Sequence, residues 1–199
     1  MRSYDDKNAE QKMKTVFLSG SRQLSRLNDA IKARINNMIE KDFRILVGDA
    51  NGSDKAMQKF LSDVSYSNVI VYCAGETCRN NIGSWNIMQV SVDPKFKGRD
   101  FYTAKDKEMA SKADYGFVLW DGKSAGAINN IFELLKYNKQ VVVYFSPEKE
   151  FHTISHLNDA KALLKKCDPA TVDSISKKIR LHSSIADIQN AAQGNLALS

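Results

Sequence analysis

Short apolar runs alternate along this chain with longer segments in which apolar residues recur every three or four positions. The runs predict strands at 15–19, 43–47, 69–72, 115–120 and 141–145, and residues 85–92 are the candidate for one more. Each of the first two runs stops at a glycine, Gly20 and Gly48. Runs this continuous are typical of parallel strands, which are buried on both faces.

The periodic segments lie between these strands. They predict helices at about 25–41, from Ser53, at about 102–112 and at 126–137. Strands that alternate with such helices form βαβ units, and right-handed crossovers place helices on both faces of the sheet. The sequence therefore predicts an α/β fold with a mostly parallel sheet of about five to six strands.

The two ends of the chain lie outside this pattern. Residues 1–13 are polar, and we expect them to form a frayed leader ahead of one domain at 14–147. Residues 148–199 are expected to form a helical C-terminal extension. This extension could dock on the sheet, form the contact of a homodimer or act as a lid, and the sequence does not choose among these roles.

Composition excludes several classes of protein. Of the 199 residues, 43% are hydrophobic and 26% are charged, as in an ordinary soluble domain. No run approaches the roughly 18 apolar residues that a membrane-spanning helix needs, and the first residues lack the apolar core of a signal peptide. The expected location is the cytoplasm, without a membrane partner.

The charge balance is positive but diffuse. Lys and Arg number 29 against 23 Asp and Glu, a net charge of +6, and no run of basic residues stands out. A nucleic-acid-binding protein more often concentrates its basic residues in one stripe. We therefore expect a surface that attracts anions and do not expect a nucleic-acid partner.

The cysteines and histidines do not predict a metal site. Cys73, Cys78 and Cys167 are an odd number without metal-ligand spacing, so we predict reduced thiols. His152 and His156 could share a metal ion if they lay on one helix, but no third ligand is evident and surface positions are predicted. No metal and no cofactor are expected.

Three loops that follow predicted strands carry polar residues and glycine. They are residues 19–22, 48–54 and 121–126. The carboxyl ends of parallel strands meet at one edge of a sheet, where α/β proteins bind their ligands. Glycine allows close approach of backbone N–H groups to an anion, and the following helix adds a favourable dipole. The predicted ligand-binding residues of these loops are Gly20, Ser21, Arg22, Gly48, Asp49, Gly52, Asp54, Gly122, Lys123, Ser124 and Gly126.

Each loop also has a purely structural interpretation. Glycine after a strand is common in turns, and Ser53 or Ser124 could serve only as a helix cap. Two familiar nucleotide signatures are absent, because the chain has neither the G-x-x-x-x-G-K-[ST] sequence of P-loop ATPases nor G-x-G-x-x-G after the first strand.

The loops resemble those of the SLOG superfamily. The resemblance rests on Gly20-Ser21-Arg22, on the G-x-A-x-G-x-D pattern at 48–54, and on the order of residues at 105–126. It covers about residues 14–146. It implies a Rossmann-like three-layer sandwich that binds nucleotides or nucleotide-derived signals. Some relatives, including the Lonely Guy phosphoribohydrolases, cleave N-glycosidic bonds, and nucleoside deoxyribosyltransferases share the layout. Others are sensors in bacterial conflict systems or DNA-processing proteins, and relatives often form dimers.

The resemblance bears on catalysis through one motif. The enzyme branches carry Gly-Thr-x-x-Glu, whereas this chain has Gly126 followed by Ala127 and, in place of the Glu, Asn130. A carboxylate can stabilise an oxocarbenium-like centre and an amide cannot, so Asn130 is assigned to ligand binding. Other carboxylates could take the catalytic role, and the candidates are Asp121, Asp106 with its neighbour Glu108, and Glu133, although we expect Glu133 to face solvent.

Two tryptophans complete the hypothesis. Trp120, at the end of a predicted strand, could stack on a base or lie in the core, and Trp85 could cover the pocket. The missing glutamate favours a sensor or binding module for a nucleotide or a nucleotide-derived small molecule. The alternative is an enzyme, a nucleoside-phosphate N-glycosidase or a deoxyribosyltransferase-like transferase.

Overall fold

The protein was analysed as a computed structural model, which describes residues 13–196. The predicted polar leader therefore lies, except for Met13, outside the described residues. The strands are β1 (Thr15–Gly20), β2 (Arg44–Gly48), β3 (Val69–Ala74), β4 (Asn86–Val90), β5 (Tyr115–Trp120), β6 (Gln140–Phe145) and β7 (Glu150–Ile154). The helices are α1 (Asp29–Glu40), α2 (Ser53–Asp63), α3 (Gly98–Lys112), α4 (Ala125–Lys136), α5 (Leu157–Leu164), α6 (Pro169–Ile179) and α7 (Leu181–Leu196).

The strands form one sheet in the order β4-β3-β2-β1-β5-β6-β7. The first six strands pair in parallel, and β7 pairs with β6 in the antiparallel sense. The predicted α/β fold with a mostly parallel sheet is confirmed. The sheet has one strand more than expected. This strand, β7, begins the C-terminal segment that the sequence predicted to be helical. Its pattern of half-buried residues is typical of an edge strand and carries no continuous apolar run.

Two apolar cores lie on the two faces of the sheet. One contains Ile31 and Ile35 of α1 and Met57 of α2. The other contains Met109 of α3 and Ile128 of α4. These cores make three layers, with helices on both faces of a parallel sheet, as the crossovers require.

The C-terminal helices extend the second core. Leu163 of α5, Ile175 of α6 and Ile188 of α7 are buried in it, and all three helices contact α4. The extension therefore packs on the domain through α4. Among the described residues, no helix is long and apolar enough to cross a membrane.

The two tryptophans pack within the protein. Trp120 is completely buried, and its indole N–H donates a hydrogen bond to the carbonyl oxygen of Ser124 at 3.1 Å. Trp85 packs against the core on the α1/α2 face and donates to the carbonyl oxygen of Tyr66 at 2.8 Å. Trp120 is therefore a core residue, and the expectation that Trp85 covers the pocket was wrong.

The prediction of reduced thiols was wrong for two cysteines. Cys73, near the end of β3, and Cys78, in the turn after it, form a disulfide. Cys167 is a free thiol. The turn after β3 folds back on the strand, and that brings together two sulfurs which are only five positions apart in sequence.

The two histidines do not share a helix. His152 lies on β7, and His156 is the residue that caps α5. The spacing that would bring both rings to one helix face therefore does not apply. His152 instead lies close to Glu148 and Glu150, a partly exposed group of three potential ligands.

Candidate functional site

An open cleft of about 1250 Å³ lies at the carboxyl ends of the parallel strands. Its lining comes from the ends of β1 and β5, from α3 and α4, and from the junction of α6 and α7. β1 pairs with β2 on one side and β5 on the other, so the strand order reverses at this point. Open α/β sheets bind their ligands at such a switch point.

The structure brings most of the predicted residues to this cleft. Those that line it are Gly20, Ser21, Arg22, Asp54, Lys123, Ser124, Gly126 and Asn130, together with Asp121, Asp106 and Glu133. Gly48, Asp49, Gly52 and Gly122 do not line it, and neither does Glu108. The lining also contains residues that sequence reasoning did not assign to ligand binding, among them Arg79, Lys105 and Asn129.

Hydrogen bonds and close packing join the loop at 19–22 to the loop at 48–54. The hydroxyl of Ser53 donates hydrogen bonds to the carbonyl oxygens of Ser21 at 2.6 Å and Leu24 at 3.0 Å. Gly52 has a φ of 84° and lies directly against the backbone of Arg22, where a Cβ would collide. This close approach requires a glycine at position 52, which precedes α2, and Ser53 joins the loops instead of capping the helix.

Asp121 holds the third loop in place. One of its oxygens accepts the hydroxyl of Ser21 at 2.6 Å, and the other accepts the N–H groups of Lys123 at 3.0 Å and Ser124 at 2.7 Å. Ser124 in turn caps α4 by accepting the N–H of Ala127 at 3.2 Å. With its oxygens used in this way, Asp121 is a positioning residue for the loops.

The start of α4 offers hydrogen-bond donors to the cleft. The N–H groups of Ala125 and Gly126 belong to the first turn, so they have no acceptor within the helix. Both residues line the cleft. The helix dipole adds a partial positive charge at the same place, which favours an anion.

Two consecutive asparagines follow on α4. Asn129 and Asn130 are 9% and 5% exposed. Asn130 donates to the hydroxyl of Ser19 at 3.1 Å, but within the described chain its Oδ1 and the Nδ2 of Asn129 have no hydrogen-bond partner. An unpaired buried polar group costs roughly 1–3 kcal/mol, so each of these two atoms calls for a partner that the described chain does not supply.

The floor of the cleft contains a group of charged side chains, which includes Asp54, Lys105 and Asp106. Gly48 lacks a side chain, and the carboxyl of Asp54 and the ammonium of Lys105 occupy the space that its Cβ would need. Lys105 is 4% exposed and forms an ion pair with Asp106 at 2.6 Å. Burial would lower the pKa of Lys105, but the carboxylates of Asp106, Asp54 and Asp49 raise it above its usual value and keep the ammonium charged.

Asp49 is also buried, but it lies behind the cleft wall. Its carboxylate accepts two hydrogen bonds from the guanidinium of Arg79, at 2.9 and 2.6 Å. It accepts a third from the backbone N–H of Arg79 at 3.1 Å. Burial alone would raise the pKa of Asp49, but Arg79 and Lys105 lower it below its usual value. Arg79 also stacks on the ring of Tyr102, 4.3 Å from its centre.

Glu133 is buried, contrary to the prediction that it faces solvent. Its side chain is 7% exposed and pairs with Lys136 at 3.2 Å, while Lys136 also pairs with Asp187 of α7 at 3.3 Å. Helix α7 packs against α4, and Lys136 links Glu133 to Asp187 of α7. Glu133 thus lines the inner wall of the cleft together with α7.

Sequence reasoning missed Arg79, Lys105 and Asn129, and these three cleft residues differ in how far the sequence indicates their position. Lys105 precedes the buried Met109 by four positions, so helical periodicity could have placed it on the buried face of α3. Asn129 adjoins a residue that was predicted to bind. Arg79 gives no sequence signal, because its partner Asp49 lies 30 positions away.

Searches with this sequence and structure found no matching family model, no matching curated protein and no matching solved structure. The resemblance to the SLOG superfamily therefore stays a prediction.

Proposed function

We propose that the cleft binds a nucleotide or a nucleotide-derived small molecule and that the protein is a binding or sensor module. One observation carries this proposal. The free N–H groups of the α4 N-terminus lie in the same cleft as two buried amide atoms, on Asn129 and Asn130, that have no partner in the described chain.

The phosphate of such a ligand has a suitable position at the start of α4. The N–H groups of Ala125 and Gly126 would donate to phosphate oxygens, aided by the helix dipole. Arg22 and Lys123 lie on the same surface and would neutralise the charge.

The remainder of the ligand would lie over the two asparagines. Asn130 offers an acceptor, Oδ1, and Asn129 offers a donor, Nδ2. A ribose hydroxyl or the edge of a base presents both a donor and an acceptor, and either could satisfy the two amides together. An apolar ligand would leave both amides unpaired and is therefore disfavoured.

A second candidate function is the hydrolysis of an N-glycosidic bond. It is favoured by the carboxyls of Asp54 and Asp106, which line the cleft close to Lys105. Of the predicted catalytic set, Asp106 is the member that lies in this group, where it is paired with Lys105. A carboxylate there could stabilise positive charge at C1′.

Binding is tested by calorimetric titration with AMP, ADP, ATP, NAD, ADP-ribose and, as controls, adenosine and inorganic phosphate. We expect at least one nucleotide to bind more tightly than both controls. The Asn129→Leu variant should bind that nucleotide about tenfold more weakly, since it loses one hydrogen bond to the ligand. Asn37→Leu, on the exposed face of α1, is the matched control and should bind normally. Failure of every nucleotide to bind would contradict the proposal.

The enzyme alternative has its own measurement. Free base released from the same nucleotides is followed by chromatography with mass detection. If the protein is a hydrolase, Asp106→Asn should abolish release, whereas Glu108→Gln, outside the cleft on the same helix, should not. Binding without release by the unmodified protein would leave the sensor as the function.

A further inference from the structure

The charged group on the cleft floor has one carboxyl more than it has cations. Its carboxyls are Asp49, Asp54 and Asp106, and its cations are Lys105 and Arg79. These are the titratable and charged groups that α3, the loop after β2 and the loop after β3 present to Asp54. Arg79 is taken by Asp49 at 2.6 Å, and Lys105 is taken by Asp106 at 2.6 Å. Asp54 is left without a cation of its own.

The surroundings of Asp54 also supply few hydrogen bonds. Its Oδ2 accepts the N–H of Ala50 at a long 3.2 Å, and within the described chain its Oδ1 accepts none. The side chain is nevertheless buried and lines the cleft. A carboxyl in this position gains a partner most readily as the neutral acid, because the acid can donate a hydrogen bond to a ligand atom.

We propose that ligand binding in this cleft is coupled to the uptake of one proton, which Asp54 holds and through which it donates a hydrogen bond to the bound ligand. This inference rests on the proposed function. A protonated Asp54 donates a hydrogen bond and therefore selects an acceptor atom of the ligand, whereas an ionised Asp54 would select a donor.

The titration of Asp54 supports this coupling. Burial raises the pKa of Asp54 from 3.8 to about 6; Lys105 opposes this rise, and Asp106 and Asp49 add to it. At neutral pH the empty site is therefore mostly ionised. A phosphorylated ligand brings negative charge and displaces water, and both raise the pKa further. The ligand and the proton consequently bind with positive coupling, and affinity decreases as the pH rises above about 6.

The experiment measures the Kd from pH 5.5 to pH 8.5 for whichever member of the nucleotide panel binds most tightly at pH 7. Phosphate monoesters titrate near pH 6 themselves, so the comparison is between the unmodified protein and Asp54→Asn with the same nucleotide. The asparagine resembles the neutral acid and cannot titrate. Calorimetry in two buffers of different ionisation enthalpy counts the protons taken up.

We expect the Kd of the unmodified protein, relative to that of Asp54→Asn, to rise by up to about tenfold per pH unit above pH 6.5. Proton uptake should be close to one proton greater in the unmodified protein. Equal pH profiles and equal proton counts in the two proteins would overturn the coupling while leaving binding intact. If no nucleotide bound at any pH, the proposed function itself would fail, and the coupling would fall with it. Thermal unfolding of Asp54→Asn verifies that the variant is folded.

Discussion

Asp49, in the loop after β2, and Asp54, in the first turn of α2, lie five residues apart and are both buried, yet their surroundings differ. Asp49 receives three hydrogen bonds from Arg79, whereas Asp54 receives one long hydrogen bond from Ala50. The pKa is lowered at Asp49 and raised at Asp54. Asp49 lies behind the wall of the cleft, and Asp54 lies on its floor. The difference separates a carboxylate that is paired within the protein from one that lines the cleft without a cation of its own.

The largest expected effect follows from removal of the partner of Asp49. Arg79→Ala would leave a carboxylate that is 1% exposed without a cation, and we expect a loss of about 4 kcal/mol in the free energy of unfolding. Chemical denaturation measures this value. Lys59→Ala, which removes an exposed ion pair with Asp63, should cost only about 0.3 kcal/mol. Equal costs for the two variants would remove the basis for the comparison.

The next effect concerns Asp54 and has the opposite sign. Because the folded protein raises its pKa from 3.8 to about 6, Asp54 favours the folded state most below pH 3.8, and this contribution is lost as the pH rises through about 6. Asp54→Asn should therefore unfold like the unmodified protein near pH 4 and be more stable by up to roughly 3 kcal/mol near pH 8.

Asp49→Asn is the counterpart of that variant. The lowered pKa of Asp49 means that its contribution to stability is present above pH 3.8 and lost as the pH falls. Asp49→Asn should therefore be less stable than the unmodified protein near pH 8. Thermal unfolding of both variants at pH 4 and pH 8 provides the measurement. A destabilised Asp54→Asn at pH 8 would place Asp54 with the structural carboxylates.

The smallest effect extends the comparison to α4. Asn129→Leu replaces an amide whose Nδ2 is buried and unpaired within the described chain, so we expect a gain of about 1 kcal/mol in stability. The same variant is expected to bind nucleotide more weakly. If Asn129→Leu raises stability and weakens nucleotide binding, Asn129 contributes to ligand binding at a cost in stability. A loss of stability in Asn129→Leu would show that the amide is hydrogen-bonded in the free protein.

The main elements of the fold follow from local sequence. The apolar runs that predicted β1, β2, β3, β5 and β6 are buried on both faces, and the periodicity that predicted α1 and α4 matches their buried residues. β7 was missed because an edge strand exposes part of its surface and needs no continuous apolar run. The disulfide was missed because two cysteines five positions apart can meet only if the intervening turn folds back.

The sequence by itself determined which residues precede helices at the carboxyl ends of the strands, since an apolar run, a glycine and a polar loop recur there in a fixed order. That order predicted that Ser21, Asp54 and Ser124 lie at one edge of the sheet, where all three line the cleft. Only the tertiary structure decided how the charges pair. The ion pair of Asp49 with Arg79 and that of Lys136 with Asp187 join distant parts of the chain, and Asp54 is left near Lys105 without an ion pair. Burial and pairing set the protonation of a carboxyl, and neither is a property of the residue or its neighbours in sequence.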